Sequence, residues 1–137
     1  MLKVFLDTNI AFDLIANREP FVLSSIHFLE LAEKGEAQLF VSEVSIGTLI
    51  YLAYARYRLP DAKEKLIQFV EFCEVISGGS EAFLNAINSN FSDKEDGLQY
   101  FIALANEMDI IITRDRKGFD QADGKVPILS PKEFFAS

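Results

Sequence analysis

The sequence predicts an α/β fold in which a parallel sheet of about five short strands is covered by helices on both faces. Three observations carry this expectation. Short apolar runs alternate along the whole chain with segments of helical period, the pattern of strands joined by helical crossovers. The clearest runs, Val4-Phe5-Leu6 and Ile110-Ile111-Ile112, are apolar at every position, as strands buried on both faces require. Turn and capping residues fall between the segments.

The first strand covers about 2–6, and a helix over 9–17 follows, with Thr8 or Asn9 as its N-cap. Arg18-Glu19-Pro20 breaks the pattern, because proline disfavours helix in the residue before it. The next helix, about 20–34, carries Val22, Ile26, Leu29 and Ala32 on one face and ends at Gly35. A strand over 38–41 leads to Ser42 in a capping position, and the helix it opens runs to about Tyr57. Asp61 caps a helix over 62–72 with Leu66, Phe69, Val70 and Cys73 on its apolar face. A short strand over 74–76, a Ser77-Gly78-Gly79-Ser80 turn and a helix over 80–88 come next. Ser92 and Glu95 have capping-box spacing and open a helix over 93–106, with Leu98, Phe101, Ile102 and Ala105 facing the core. Strands over 110–112 and 126–129 and a helix from Pro131 to Phe135 complete the chain. No repeat, low-complexity tract or linker interrupts it, so residues 1–137 read as one domain.

Composition narrows the function classes. Half of the 137 residues are hydrophobic and a quarter charged, which suits a packed core rather than a disordered chain. No apolar run approaches the roughly 20 residues that span a bilayer, so no membrane partner is expected. Lys3, Asp7 and Asp13 break the N-terminal apolar stretch, unlike a signal peptide. A lone cysteine, Cys73, excludes an internal disulfide and fits a reducing cytoplasm. The formal net charge of −8 disfavours passive binding to nucleic acid. It is more readily understood if several carboxylates gather around a divalent cation.

Three acidic sites sit beside strand ends or helix starts. Asp7 ends the first strand, Asp93, Glu95 and Asp96 crowd the start of the helix over 93–106, and Asp115 follows the strand over 110–112. Parallel strands end on one edge of their sheet, which is where ligands bind in this architecture. Asp7 and Asp115 come together there if their strands are neighbours, and the helix before the later strand returns Asp96 to the same edge. Oxygen ligands without histidine or cysteine favour Mg²⁺ or Mn²⁺ over Zn²⁺. Such an ion assists hydrolysis of a phosphodiester by lowering the pKa of a bound water and by stabilising charge on the phosphoryl group. Each acid alone also has an ordinary explanation. Asp93, Glu95 and Asp96 are stabilised at a helix N-terminus by its dipole, Glu95 fits the capping box, and Asp115 suits a turn.

Leu6-Asp7-Thr8-Asn9-Ile10, with Asp13 and Arg18-Glu19-Pro20-Phe21, resembles the opening of PIN domains. Phe91-Ser92-Asp93-Lys94-Glu95-Asp96-Gly97-Leu98-Gln99-Tyr100 resembles their central acidic helix. Ile111-Ile112-Thr113-Arg114-Asp115 with Phe119, and the closing Pro127–Phe134 segment, resemble their last motifs. The resemblance runs over essentially the whole chain in the right order. It implies a Rossmann-like three-layer α/β/α sandwich and an Mg²⁺- or Mn²⁺-dependent ribonuclease, often the toxin of a VapBC-type pair. It also implies an antitoxin partner and a homodimer. On the same basis Asp7, Asp96 and Asp115 would be the catalytic, metal-binding acids, with Asn9 and Thr113 lining the site.

One position departs from the family pattern. A further acid is usual about six residues after the serine that follows the second strand, and here that place is Thr48. Some PIN subfamilies carry an amide there, and this chain resembles those most. A hydroxyl cannot supply a carboxylate's charge, and Glu43 lies on a different helical face. Glu95 or Asp93 are then the candidates to complete the metal site. Arg114 and Arg116 flank Asp115 and are the first candidates for contacts to RNA phosphates, ahead of Arg18, Arg56 and Arg58. Tyr51, Tyr54 and Tyr57 recur every third residue and suit either base stacking or a protein surface. A catalytically weak or inactive PIN-like module that binds RNA or a partner protein is the alternative function. A phosphoacceptor receiver domain fits less well, because the strand over 74–76 ends in Ile76-Ser77 where that fold wants an aspartate.

Overall fold

The computed structural model describes residues 1–136. Its elements, in chain order, are β1 (Leu2–Leu6), α1 (Thr8–Ala16), α2 (Val22–Glu33), β2 (Ala37–Ser42), α3 (Glu43–Tyr51), α4 (Ala62–Phe72), β3 (Cys73–Ile76), α5 (Gly79–Asn88), α6 (Lys94–Ala105), β4 (Ile110–Ile112), β5 (Ile128–Leu129) and α7 (Pro131–Ala136). The five strands form one sheet in the order β3-β2-β1-β4-β5, and every pair is parallel. The expected α/β sandwich is therefore what the chain adopts.

Side-chain alternation along the buried strands splits the core in two. Val4 and Leu6 of β1, Leu39 and Val41 of β2, and Ile110 and Ile112 of β4 point to one face. There they pack against α1, α2 and α4 through Ile10, Phe12, Phe28 and Phe69. Phe5, Phe40 and Ile111 point to the other face and pack against Ala82 of α5 and Tyr100, Ile102 and Ala103 of α6. β1 lies between β2 and β4, with Leu6 registered on Ile112. Successive strands extend outward from β1 in opposite directions, so the sheet has its topological switch point at the carboxyl ends of β1 and β4. That is where ligands bind in open parallel sheets.

Several local expectations are corrected. The cap of α1 is Asp7, not Thr8 or Asn9: its carboxylate accepts from the Thr8 amide. The cap of α6 is Asp93 rather than the Ser92–Glu95 box, and it accepts from the amides of Glu95 and Asp96. Aspartate is as good a cap as serine, so the first residue to present a side-chain oxygen to the amides takes the role. Asp61 precedes α4 but makes no side-chain cap bond. α3 does not stay α-helical to Tyr57. Its continuation widens to π geometry over Leu52–Arg56, closed by a bond from the Tyr57 amide to the Leu52 carbonyl at 2.9 Å. β5 is limited to Ile128–Leu129, because Pro127 has no N–H to give a ladder. A 3₁₀ turn over Arg116–Phe119, not foreseen, follows β4.

The apolar faces also differ in detail. Ile26, Val70 and Ala105 are exposed, while Ser25, Phe28, Tyr100 and Ala103 are buried in the corresponding helices. Phe28 is closed over by Phe134 and Phe135, with ring centroids 5.1 Å and 4.7 Å away. This contrast is measurable. Phe28→Ala should cost about 3–5 kcal/mol of unfolding free energy, whereas Val70→Ala should cost less than about 0.5 kcal/mol. Denaturant titration of the two variants checks it, and similar losses in both would contradict the helix orientations described.

Candidate active site

Asp7 continues the β1 ladder, its amide donating to the Ile112 carbonyl at 2.9 Å, before the chain turns into α1. The residue is only 6% exposed. One carboxylate oxygen accepts from the Thr8 amide at 2.9 Å and the other from the Thr113 hydroxyl at 2.7 Å. Thr113 follows β4 and is fully buried, and its Oγ1 in turn accepts from the Asp115 amide at 3.1 Å. The pairing of β1 with β4 thus becomes a side-chain relay from the Asp115 backbone to the Asp7 carboxylate. Burial pushes the Asp7 carboxyl above its ordinary value, the bonds from Thr113 and Thr8 pull it back, and Asp115 and Glu95 add to the upward push.

Asp96 sits in the first turn of α6, at the same edge. Burial and the charges of Asp7, Asp93, Asp115 and Glu95 raise its carboxyl from 3.8 to about 7. Asp115 approaches it across Gly118. A side-chain carbon on Gly118 would collide with Asp96 Oδ2 and lie 3.5 Å from Asp115 Oδ2, so the bare glycine leaves the space into which both carboxylates turn. Asp96 lines two hollows. One, of ≈ 260 Å³, is shared with Asp7, Asn9, Glu95, Phe12 and Arg18, and the other, of ≈ 320 Å³, with Asp93, Asp115, Lys117 and Gly118.

The three expected acids therefore meet at one edge of the sheet. Among the described residues, no three or more acidic, histidine or cysteine side chains are drawn together closely enough to hold a metal ion as they stand. The donor set nevertheless fits a hard cation. It consists of carboxylate oxygens, it is under mutual repulsion, and Mg²⁺ commonly takes only one or two carboxylates while retaining several waters. Asp7, Asp96 and Asp115 are the residues that would hold such an ion, with Glu95 at the rim. Asp93 is engaged as the α6 cap.

The remaining expected residues are placed as follows. Asn9 lines the Asp7 hollow. Thr113 lies behind Asp7 rather than in the hollow, and acts on it by its hydrogen bond. Thr48 lines neither hollow. Its hydroxyl is 3.5 Å from the Val44 carbonyl on its own helix, and Leu52, one turn later, faces the Asp7 hollow instead. Arg114 is bound to the buried Asp13 carboxylate at 2.7 Å, and Arg116 is paired with Glu133 at 2.6 Å. His27 pairs with Glu30 on the surface, and Cys73 is buried.

Sequence reasoning missed Gln99. This side chain is 1% exposed and joins three helix starts. It accepts from Ser42 Oγ at 2.5 Å and donates to Ser45 Oγ at 2.6 Å and Thr8 Oγ1 at 3.0 Å. Ser45 and Thr8 hydroxyls also meet at 2.6 Å. A polar residue one turn after Asp96, on an otherwise apolar face, was the available signal.

The acidic pressure has a thermodynamic consequence. Because Asp96 holds its proton more tightly in the folded chain than in the unfolded one, folding stability falls as pH rises from about 4 to about 7 and is level above. In metal-free buffer, Asp96→Asn should therefore be more stable than the parent above pH 7, by about 1 kcal/mol or about 3 °C after allowing for solvent screening. The gain should vanish below pH 4. Thermal unfolding of both proteins from pH 4 to 8 checks the sign.

Comparison with known proteins agrees with this fold. Residues 3–117 match the PIN domain family. Ribonuclease VapC1 of Aquifex aeolicus is 27% identical over 137 residues, which covers 96% of this chain and 92% of that protein. A crystal structure of VapBC2 from Rickettsia felis bound to a promoter DNA fragment superposes with a TM-score of 0.70 at 20% identity, covering 94% of this chain and 98% of that one. DNA-bound VapBC from Salmonella typhimurium gives 0.69 at 19%, covering 96% and 99%. With nearly the whole fold and both ends of its acidic edge inside the matched region, this chain belongs to the PIN domain family.

Proposed function

We propose that this protein is a cytoplasmic endoribonuclease that hydrolyses RNA phosphodiesters with Mg²⁺ or Mn²⁺, and that it is the toxin of a toxin–antitoxin pair. The observation that carries the reading is the convergence of Asp7, Asp96 and Asp115 at the switch point, under a repulsion that a divalent cation relieves. The bound ion would supply an activated water and neutralise charge on the phosphoryl group. The chain's own part is positioning. Thr113 and the Thr8 amide fix both oxygens of Asp7, and the Asp93 cap fixes the start of α6 and with it Asp96. The ribonuclease name of the Aquifex relative supports the reaction. The VapBC identity of the structural neighbours supports an antitoxin partner. The exposed Ile50, Tyr51 and Tyr54 of α3 and its continuation are the surface we assign to self-association or to that partner.

The deciding experiment is cleavage of a mixed RNA pool in Mg²⁺, Mn²⁺ or EDTA, with Asp7→Asn purified in parallel. Metal-dependent cleavage that falls at least about 100-fold in the variant is expected. Equal cleavage by both proteins, or none by either, would return the alternative of a binding module. Metal binding should also report on Asp96. Because the ion competes with the proton that Asp96 carries near pH 7, Mn²⁺ affinity should rise between pH 6 and 8 with release of protons. Calorimetry in two buffers of different ionisation heat measures that release, and a pH-independent affinity would contradict it.

A further inference from the structure

The hollow beside Asp7 contains a fixed cation that the metal chemistry does not use. Asp13, on α1, is fully buried and is clasped by two guanidinium groups. Arg18 donates to its Oδ1 from Nε at 2.9 Å, with Nη2 at 2.8 Å, and Arg114 binds its Oδ2 from Nε at 2.7 Å. One carboxylate thus holds two positive charges, leaving this buried centre net cationic. The two arginines face different surfaces. Arg114 lies 3.8 Å from the Phe21 ring centroid and borders the groove of Phe21, Ser130 and Pro131. Arg18 lies 4.9 Å from the Phe12 ring centroid and lines the hollow with Asp7, Asn9 and Asp96. It is the one basic side chain lining that hollow among the described residues.

Arginine carries its donors in a planar fork, and only the edge formed by Nε and Nη2 is turned to Asp13. Its Nη1 group donates to no protein acceptor among the described residues. A guanidinium immobilised by a buried carboxylate and a ring, with donors free beside a set of acids, is organised for an anion that must approach those acids. We propose that Arg18 binds a non-bridging phosphate oxygen of a single RNA strand, on the nucleotide next to the scissile bond, and that Asp13 is the positioning residue that fixes it. The assignment rests on the ribonuclease reading of the same hollow. It places Arg18, rather than Arg114 or Arg116, as the phosphate contact.

Salt dependence separates this from a purely structural role. Binding of a fluorescent oligouridylate would be followed by anisotropy in EDTA across a range of KCl, with Asp7→Asn as the parent. Adding Arg18→Gln should lower the slope of log K against log [salt] by about 0.7, the value for one phosphate contact on a single strand. It should weaken binding about fivefold at low salt. Arg18→Lys should keep most of the slope. Arg114→Gln removes the other partner of Asp13 and should lower the slope by less than Arg18→Gln does, because it takes charge from the same buried centre but no donor from the hollow. In the cleaving protein, Arg18→Gln should raise KM about fivefold with a smaller change in kcat. An unaltered slope for Arg18→Gln, or an equal change for Arg114→Gln, would overturn the assignment. Absence of cleavage by the unmodified protein would instead remove the ribonuclease reading, and the binding slopes would still decide whether Arg18 meets a phosphate.

Discussion

Everything at the acidic edge depends on the parallel pairing of β1 with β4. That pairing sets Leu6 against Ile112 and extends one bond further, through the Asp7 amide. Thr113 is then the next residue of its strand, and its hydroxyl meets the Asp7 carboxylate. A one-residue slip would turn Asp7 and Thr113 to opposite faces, since side chains alternate along a strand. The register is held by the apolar alternation itself. Val4, Leu6, Ile110 and Ile112 fill one core while Phe5 and Ile111 fill the other, so any slip would exchange the two sets.

Three helix starts meet at this edge, capped by Asp7, Ser42 and Asp93. Gln99 ties α6 to the first turns of the other two helices through Ser42, Ser45 and Thr8. Helix N-termini favour acids, but only by about 0.3–1 kcal/mol each, which is less than one pH unit. Asp96 nevertheless titrates near 7 rather than at 3.8. Burial and four neighbouring carboxylates outweigh the dipole there. The Gln99 network resists the spreading that this repulsion would otherwise drive, because Gln99, Ser42 and Ser45 are buried and every member is hydrogen-bonded. Rigid support beneath repelling acids is what a site needs if it is to keep its shape before a cation arrives.

Much of this was legible in the sequence because it follows from period and topology. The all-apolar runs Val4–Leu6 and Ile110–Ile112 gave buried parallel strands, and alternation with helices put Asp7, Asp96 and Asp115 at one edge. What could not be read was set by contacts between distant residues. The choice of Asp7 over Thr8 as a cap depends on its carboxylate lying between the Thr8 amide and Thr113. The π geometry over Leu52–Arg56 has no signature in the residue pattern, and the residue of this helix that lines the hollow is Leu52, one turn after Thr48. The arginines beside Asp115 looked free because Asp13, the partner of Arg114, is 101 residues away in sequence. Gln99 was hidden for the same reason: its hydroxyl partners lie 54 to 91 residues earlier.

The distribution of charge bears on how an acidic protein can act on RNA. A formal charge of −8 repels a polyanion at long range, so the protein lacks the general phosphate attraction that gives most nucleic-acid binders their non-specific affinity. Arg116 does not offset this, because Glu133 already pairs with it, and Arg114 shares the Asp13 charge with Arg18 and faces the Phe21 groove rather than the acids. Attraction must then be local and short-ranged. On the proposed function it would come from an ion held by Asp7, Asp96 and Asp115, and from the outward donors of Arg18 in the Asp13 clasp. Both would act within a few ångströms of one phosphodiester, since charges are screened over about 8 Å at physiological salt. Binding of this kind rewards a strand that presents two phosphates at the right separation and gives little to RNA elsewhere on the surface. On the proposed function, the acidic composition, which at first argues against RNA, would then be a source of selectivity, with the cationic contacts confined to the hollow.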